Sequence, residues 1–211
     1  MGRPGDGDDV RGAILAAALR QLEAAGSPDR VTVAAIIDEA GCTPPSLYHY
    51  WPKRELLLQE ASALGWAHFR ASQDSAVAGR QDLADDSGQD TKKGQDTDPV
   101  ERLRLRGRGY LDFALARPSL FRVLFLEPAT AGPGGPPAET GQALNDLVTD
   151  VTQAMAAGQL RTADPLTTAL ALWSAMHGVA ALWAVTPGLP TDLAHAVGDL
   201  AQDSVLAGLA T

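Results

Sequence analysis

Apolar residues recur at three- and four-residue spacing along most of this chain. From Asp8 to Ala25 they fall at Ile14, Leu15, Ala18, Leu19 and Leu22, the stripe of an amphipathic helix, and Gly26 stops the run. Thr32 is placed to cap a short helix over Val33 to Ala40, ended by Gly41. Thr43 caps a second short helix, and Pro44 suits its first position, where a backbone N–H would be an orphan in any case. Pro52 ends that helix, and a long one is expected from Lys53 to about Arg80. Helical spacing resumes from Val100 to Arg117 and breaks at Pro118, after which "SLFRVLFLE" reads as a short apolar helix. Three more are predicted over Thr140 to Ala157, Asp164 to Val185 and Thr191 to Ala210. Only "RLRLRGRGY" alternates like a strand, and its continuation "LDFALA" is helical. The pattern predicts an all-α chain of about nine helices with no repeat architecture.

Polar stretches divide this pattern. Residues 1–9, "MGRPGDGDD", read as a flexible acidic arm and not as a secretory signal. Residues 80–99, "RQDLADDSGQDTKKGQDTDP", have too little to bury to offset their ordering entropy and read as a mobile connector. "PATAGPGGPPAE" reads as a second loop. The expected organisation is a small domain at 10–60 followed by a larger one at 61–211.

Composition changes the picture in three places. Of 211 residues, 45% are hydrophobic, enough for a core that needs no disulfides, and the lone Cys42 excludes both an internal bridge and a cysteine zinc site. That fits a cytoplasmic protein. A formal charge of −9 argues against coating nucleic acid non-specifically, which needs clustered cations, but leaves room for a local basic surface. Pro165 to Thr191 carries no charge and is long enough to span a bilayer. Pro165, Pro187 and Pro190 bracket it, however, Thr167, Thr168, Ser174 and His177 interrupt it, and no Lys/Arg cluster flanks it. It reads as a helix buried on both sides, with no membrane partner.

Two short capped helices joined by Gly41-Cys42-Thr43, with a supporting helix before them, have helix-turn-helix spacing. A helix of about two turns can enter a major groove about 12 Å wide. Thr43, Pro45, Ser46 and His49 would face outward, and Leu47 and Tyr50 inward toward Ile36 and Ile37. Tyr48 and Lys53 could reach phosphates, as could the caps Thr32 and Thr43. Any single ring in "LYHYW" is more often core than contact, and Tyr50 and Trp51 read as core. The capped pair with this order of rings and cations is better explained by DNA.

The stretch "ILAAALRQLEAAGSPDRVTVAAIIDEAGCTPPSLYHYWPKRELL" resembles the DNA-binding domain of the tetracycline-repressor (TetR) family over residues 10–60. The resemblance implies DNA contacts from Thr32, Thr43, Tyr48, His49 and Lys53, with Pro45 and Ser46 facing bases. This segment carries five Lys/Arg against six acids. "YLDFALARPSLFRVLF" and "ALWSAMHGVAALW" resemble the ligand-binding domain of a TetR subgroup named for a Trp-His-Gly signature, here Trp173, His177 and Gly178. Pocket candidates are then Tyr110, Phe113, Phe121, Leu124, Phe125, Trp173, Met176 and His177, although rings at helical spacing are more often core.

Enzyme chemistry finds no support: there is no phosphate loop, nucleophile elbow or metal-ligand spacing. No cofactor or metal is expected. Arg102, Arg104, Arg106 and Arg108 read as solvated charges or partners of the acidic connector. The function expected is a homodimeric regulator, a repressor released from a palindromic DNA operator by an apolar or amphipathic small molecule. The alternative is a helical partner-binding protein of the same fold with weak or lost DNA binding.

Overall fold

The structure is a computed structural model and describes residues 6–86, 98–127, 138–186 and 188–211. Nine α-helices are present among these residues: α1 (Asp6–Ala25), α2 (Val33–Ala40), α3 (Pro44–Tyr50), α4 (Arg54–Asp86), α5 (Pro99–Ala116), α6 (Pro118–Phe121), α7 (Ala138–Ala156), α8 (Pro165–Val185) and α9 (Thr191–Leu209). A 3-10 turn, Pro28–Arg30, precedes α2, and α6 continues into a π-helical turn, Arg122–Leu126. The all-α expectation is met; "RLRLRGRGY" lies wholly inside α5. The first helix begins within the stretch expected to be an arm, and α4 runs past Arg80 to Asp86. The remainder of the expected connector, 87–97, and most of the expected loop, 128–137, lie outside the described residues.

The chain forms two compact units, one drawn from Met1–Ala67 and Arg117–Thr140, the other from His68–Ala116 and Gly141–Thr211. The core of the first includes Ile14, Leu22, Ile36, Leu47, Trp51 and Leu57. It also contains Phe121, stacked on Phe125 at 4.8 Å, and Phe125 lies 4.6 Å from Trp66. Arg117 reaches Glu23 of α1 at 2.6 Å. So the segment after α5 packs with α1 and the start of α4.

The second unit is built on Leu103, Val151, Ala154, Leu160, Ala169, Leu172 and Leu206. Its helices approach closely where side chains are missing. A Cβ on Gly109 would meet the backbone of Gln73 at 2.7 Å, and one on Gly198 would meet Leu111 Cδ1 at 2.3 Å. Gln202 fills the notch left by Gly107, 2.4 Å from where a Cβ would stand, and donates from Nε2 to Leu103 O at 2.7 Å.

The four arginines of α5 sort by turn: Arg102 and Arg106 turn inward, against their reading as solvated charges, while Arg104 and Arg108 keep their contact with solvent. Arg102 and Arg106 share the buried Asp150 of α7, while Arg104 and Arg108 meet Asp203 and Asp199 of α9 at 2.8 and 2.9 Å. His195 faces Asp112 at 3.5 Å, adding a third rung between the antiparallel α5 and α9.

By length and composition α8 is apolar enough to cross a membrane, yet 33% of its most apolar window is buried in the chain. Leu172, Met176, Val179 and Ala180 are buried, whereas Leu166, Leu170, Leu182 and Val185 are exposed. Within one chain, then, one face is covered and not both.

Candidate functional site

Gly41, at φ 63°, turns the chain between α2 and α3 and lets Cys42 N donate to Ile37 O at 3.2 Å. Thr32 Oγ1 accepts from Ala35 N at 3.2 Å, and Thr43 Oγ1 from Ser46 N at 3.4 Å, so each short helix carries a side-chain cap. Leu47 is fully buried, as is Ile36 of α2, and anchors α3. The remaining side of α3 faces solvent: Thr43, Pro45, Tyr48 and His49 are exposed, Tyr48 by 49%. Thr32 and Lys53 are exposed as well. Ser46 is half-buried, its hydroxyl 2.9 Å from that of Thr43. Trp51 is buried and donates from Nε1 to Glu60 Oε2 at 2.7 Å, under an Arg11 guanidinium 5.3 Å from its ring centroid. Tyr50 is half-buried, 5.7 Å from Trp51.

The second unit holds a cavity of about 30 Å³ where α4, α5, α7, α8 and α9 converge. Its lining includes Gln73, Leu103, Arg106, Tyr110, Leu147, Leu172, Trp173, Met176 and Gln202. Tyr110 carries a chain of hydrogen bonds beside it. An indole N–H can only donate, so the Tyr110 oxygen accepts from Trp173, and the same hydroxyl is hydrogen-bonded to His177 Nδ1 at 2.8 Å. Burial holds the Tyr110 hydroxyl protonated well above its ordinary range, and burial likewise pushes His177 below 6.5. Two members of the Trp-His-Gly signature thus clamp one hydroxyl, while Gly178 is exposed. Phe113 packs edge-on to Phe69 at 5.4 Å. Phe121, Leu124 and Phe125 lie in the first unit and are not among the lining residues.

The family profile described as bacterial regulatory proteins, tetR family, matches residues 14–61. That described as tetracyclin repressor-like, C-terminal domain, matches residues 103–203. The chain belongs to the TetR family of transcriptional regulators. Among solved structures it is similar to a protein of unknown function from Rhodococcus sp. RHA1, at 24% identity over 100% of both chains and a TM-score of 0.74. It is also similar to a TetR-family transcriptional regulator from Pectobacterium atrosepticum, at 18% identity over 100% of this chain and 98% of that one, TM-score 0.67. A third is the TetR transcriptional regulator SCO0520 from Streptomyces coelicolor, 25% identical over 95% and 98% of the two chains, TM-score 0.51. No curated protein matches.

As a TetR-family regulator this protein binds DNA through a helix-turn-helix whose charge is unevenly spent. Arg11 pairs with Glu60, Arg20 with Glu39, and Glu23 with Arg117. Hydrogen bonds from Gln21 and then Arg20 hold the Glu39 carboxyl below its usual range. Arg54 donates from Nε to Val31 O at 2.9 Å and from Nη2 to Pro28 O. Both acceptors are backbone carbonyls, so no residue type in the sequence marks this role. Arg30 and Lys53 are exposed and make no ion pair with a described residue. Glu23, Glu39 and Glu60, three of the six acids of residues 10–60, are therefore already paired, two within the segment and Glu23 with Arg117 outside it. Arg106 and Gln202, inside the second unit, were also missed as lining residues. The only signal was a polar residue within an apolar helical stripe.

Proposed function

We propose that this TetR-family regulator is a homodimeric repressor, released from a palindromic operator when a small molecule binds its C-terminal unit. The observation that carries the reading is the solvent-facing side of α3, where Pro45, Tyr48 and His49 stand beside the cap Thr43 and the exposed Lys53. Such a face presents hydroxyls, a cation and caps to phosphates, and short side chains to base edges. Two of these faces related by a two-fold axis would read half-sites about 34–36 Å apart. The exposed apolar residues of α8 and α9, among them Leu170, Leu182, Leu193 and Leu200, supply a face that a second copy would cover. The lined cavity and the Trp173–Tyr110–His177 chain support a ligand site in the same unit. Ligand would shift the population between subunit spacings that fit and misfit the operator. The regulator would work in the cytoplasm, where its DNA lies.

The test is a genomic-fragment selection on the purified protein, with mass spectrometry of co-purifying small molecules. Enrichment of fragments sharing an inverted repeat, released by the recovered molecule, is expected. Recovery of fragments without symmetry, or none, overturns the reading and favours the partner-binding alternative.

A further inference from the structure

Arg106 lines the cavity yet is only partly satisfied by acids of its own unit. Its Nε donates to Asp150 Oδ2, and its Nη1 to Asp74 Oδ1 at 3.0 Å. Its Nη2 makes no hydrogen bond to a described residue. Asp150, whose side chain is 6% exposed, also takes Arg102 Nε on its other oxygen at 2.7 Å. One buried carboxylate cannot neutralise two guanidiniums, so Arg106 depends on a second counter-ion. That counter-ion is Asp74, whose side chain is 58% exposed. Its attraction is screened by water, as for any exposed ion pair, so it exchanges easily. An anion entering from the cavity side would meet the same guanidinium where fewer waters compete, and Arg offers a planar fork suited to a carboxylate.

The other polar groups at the cavity are engaged. Gln202 donates to Leu103 O, Gln73 to Arg106 O at 3.5 Å, and the Tyr110 hydroxyl is held by Trp173 and His177. The rest of the lining is apolar. We propose that this cavity takes a small organic carboxylate, its head group on Arg106 in place of Asp74 and its apolar body among Leu103, Leu147, Leu172 and Met176. A cavity of about 30 Å³ has room for the head group alone. The body gains its space by rotation of Met176, whose unbranched side chain adapts more readily than a leucine. The inference rests on reading this unit as the ligand-sensing part of the regulator and names the chemistry it senses.

The probes are 3-phenylpropanoate and octanoate, set against their primary amides, titrated calorimetrically into the full-length protein. The acids should bind at least about ten-fold more tightly than the amides, because only they make a charge-assisted pair. Asp74→Asn removes the competing carboxylate at the surface. It should tighten acid binding several-fold and leave the amides unchanged. Arg106→Gln should erase the preference for acids. Equal binding of acids and amides, or an Asp74→Asn protein with unaltered or weakened acid affinity, overturns the proposal even if Arg106→Gln fails to fold. The effect on the DNA complex is read separately by fluorescence anisotropy. Acids that bind without releasing DNA sink the ligand-released repressor and leave the carboxylate site standing.

Discussion

Tyr48 and Lys53 are both exposed on the helix-turn-helix but would give a phosphate different things. Tyr48→Phe removes a hydroxyl donor and should weaken binding to every sequence alike. Lys53→Ala should do the same and also reduce the salt slope by about 1, since it removes one counterion-releasing charge. Anisotropy titrations at several salt concentrations check both, and His49 or Pro45 substitutions should instead change base preference. Arg54 sits next to Lys53 and should behave differently. Its loss leaves the Val31 carbonyl without its side-chain donor and the Pro28 carbonyl with only the Val31 N–H, so Arg54→Ala should cost about 1–3 kcal/mol in urea unfolding. His177 supplies a pH test. Its pKa is lowered in the folded protein, so the neutral ring is favoured by folding. That contribution is complete above the ordinary value of 6.5 and fades as pH falls through it toward the lower folded value. The stability difference between the native protein and His177→Asn should therefore narrow between about pH 7.5 and pH 5.5, as urea titrations would show.

At the scale of elements, legibility followed the local chemistry. Thr32, Gly41 and Thr43 set the bounds of α2 and α3 because caps act within a turn of their own position. The end of α4 was misplaced because no glycine or proline stops a polar stretch that continues a helix to Asp86. Apolar periodicity said that Phe121, Leu124 and Phe125 face a core but could not say which one. They pack with α1 and α4 in the first unit, while Tyr110, Trp173 and Met176 line the cavity of the second. Long-range charge pairing was equally invisible, since the acids that meet Arg104 and Arg108 lie some ninety residues away. Glycines make a graded test of this packing. Gly109→Ala drives a Cβ into the backbone of α4, where no rotamer can relieve it, and should cost about 1–3 kcal/mol or more. Gly12, exposed on α1 with open space around it, should gain about 0.4–1 kcal/mol as alanine. Thermal melts that rank the two variants otherwise would contradict the close α4–α5 approach.

For the whole molecule, the decisive prediction concerns the apolar face shared by α8 and α9. Leu200 is 69% exposed, the most exposed of the large apolar residues among those described. Leu200→Glu should convert a dimer to monomer in sedimentation and abolish operator binding, leaving the helix-turn-helix intact by circular dichroism. A native monomer at micromolar concentration would remove the basis for a palindrome. The helix that carries this face is joined to α5 by Asp112–His195, Arg108–Asp199 and Arg104–Asp203, rungs that repeat every four residues on both helices. A repeating ladder invites a one-turn ratchet of about 5.4 Å, the step by which packed helices can trade one register for the next. Here each stop is refused. Sliding either way keeps only one Arg–Asp pair of the two, Arg104–Asp199 in one direction and Arg108–Asp203 in the other, and the second direction also sets Asp112 against Asp199. Either slide also pulls Leu111 out of the Gly198 notch and Gln202 out of the Gly107 notch. The helix is keyed, so a displacement of α5 at the cavity has to carry α9, with the face it presents, as a single rigid lever.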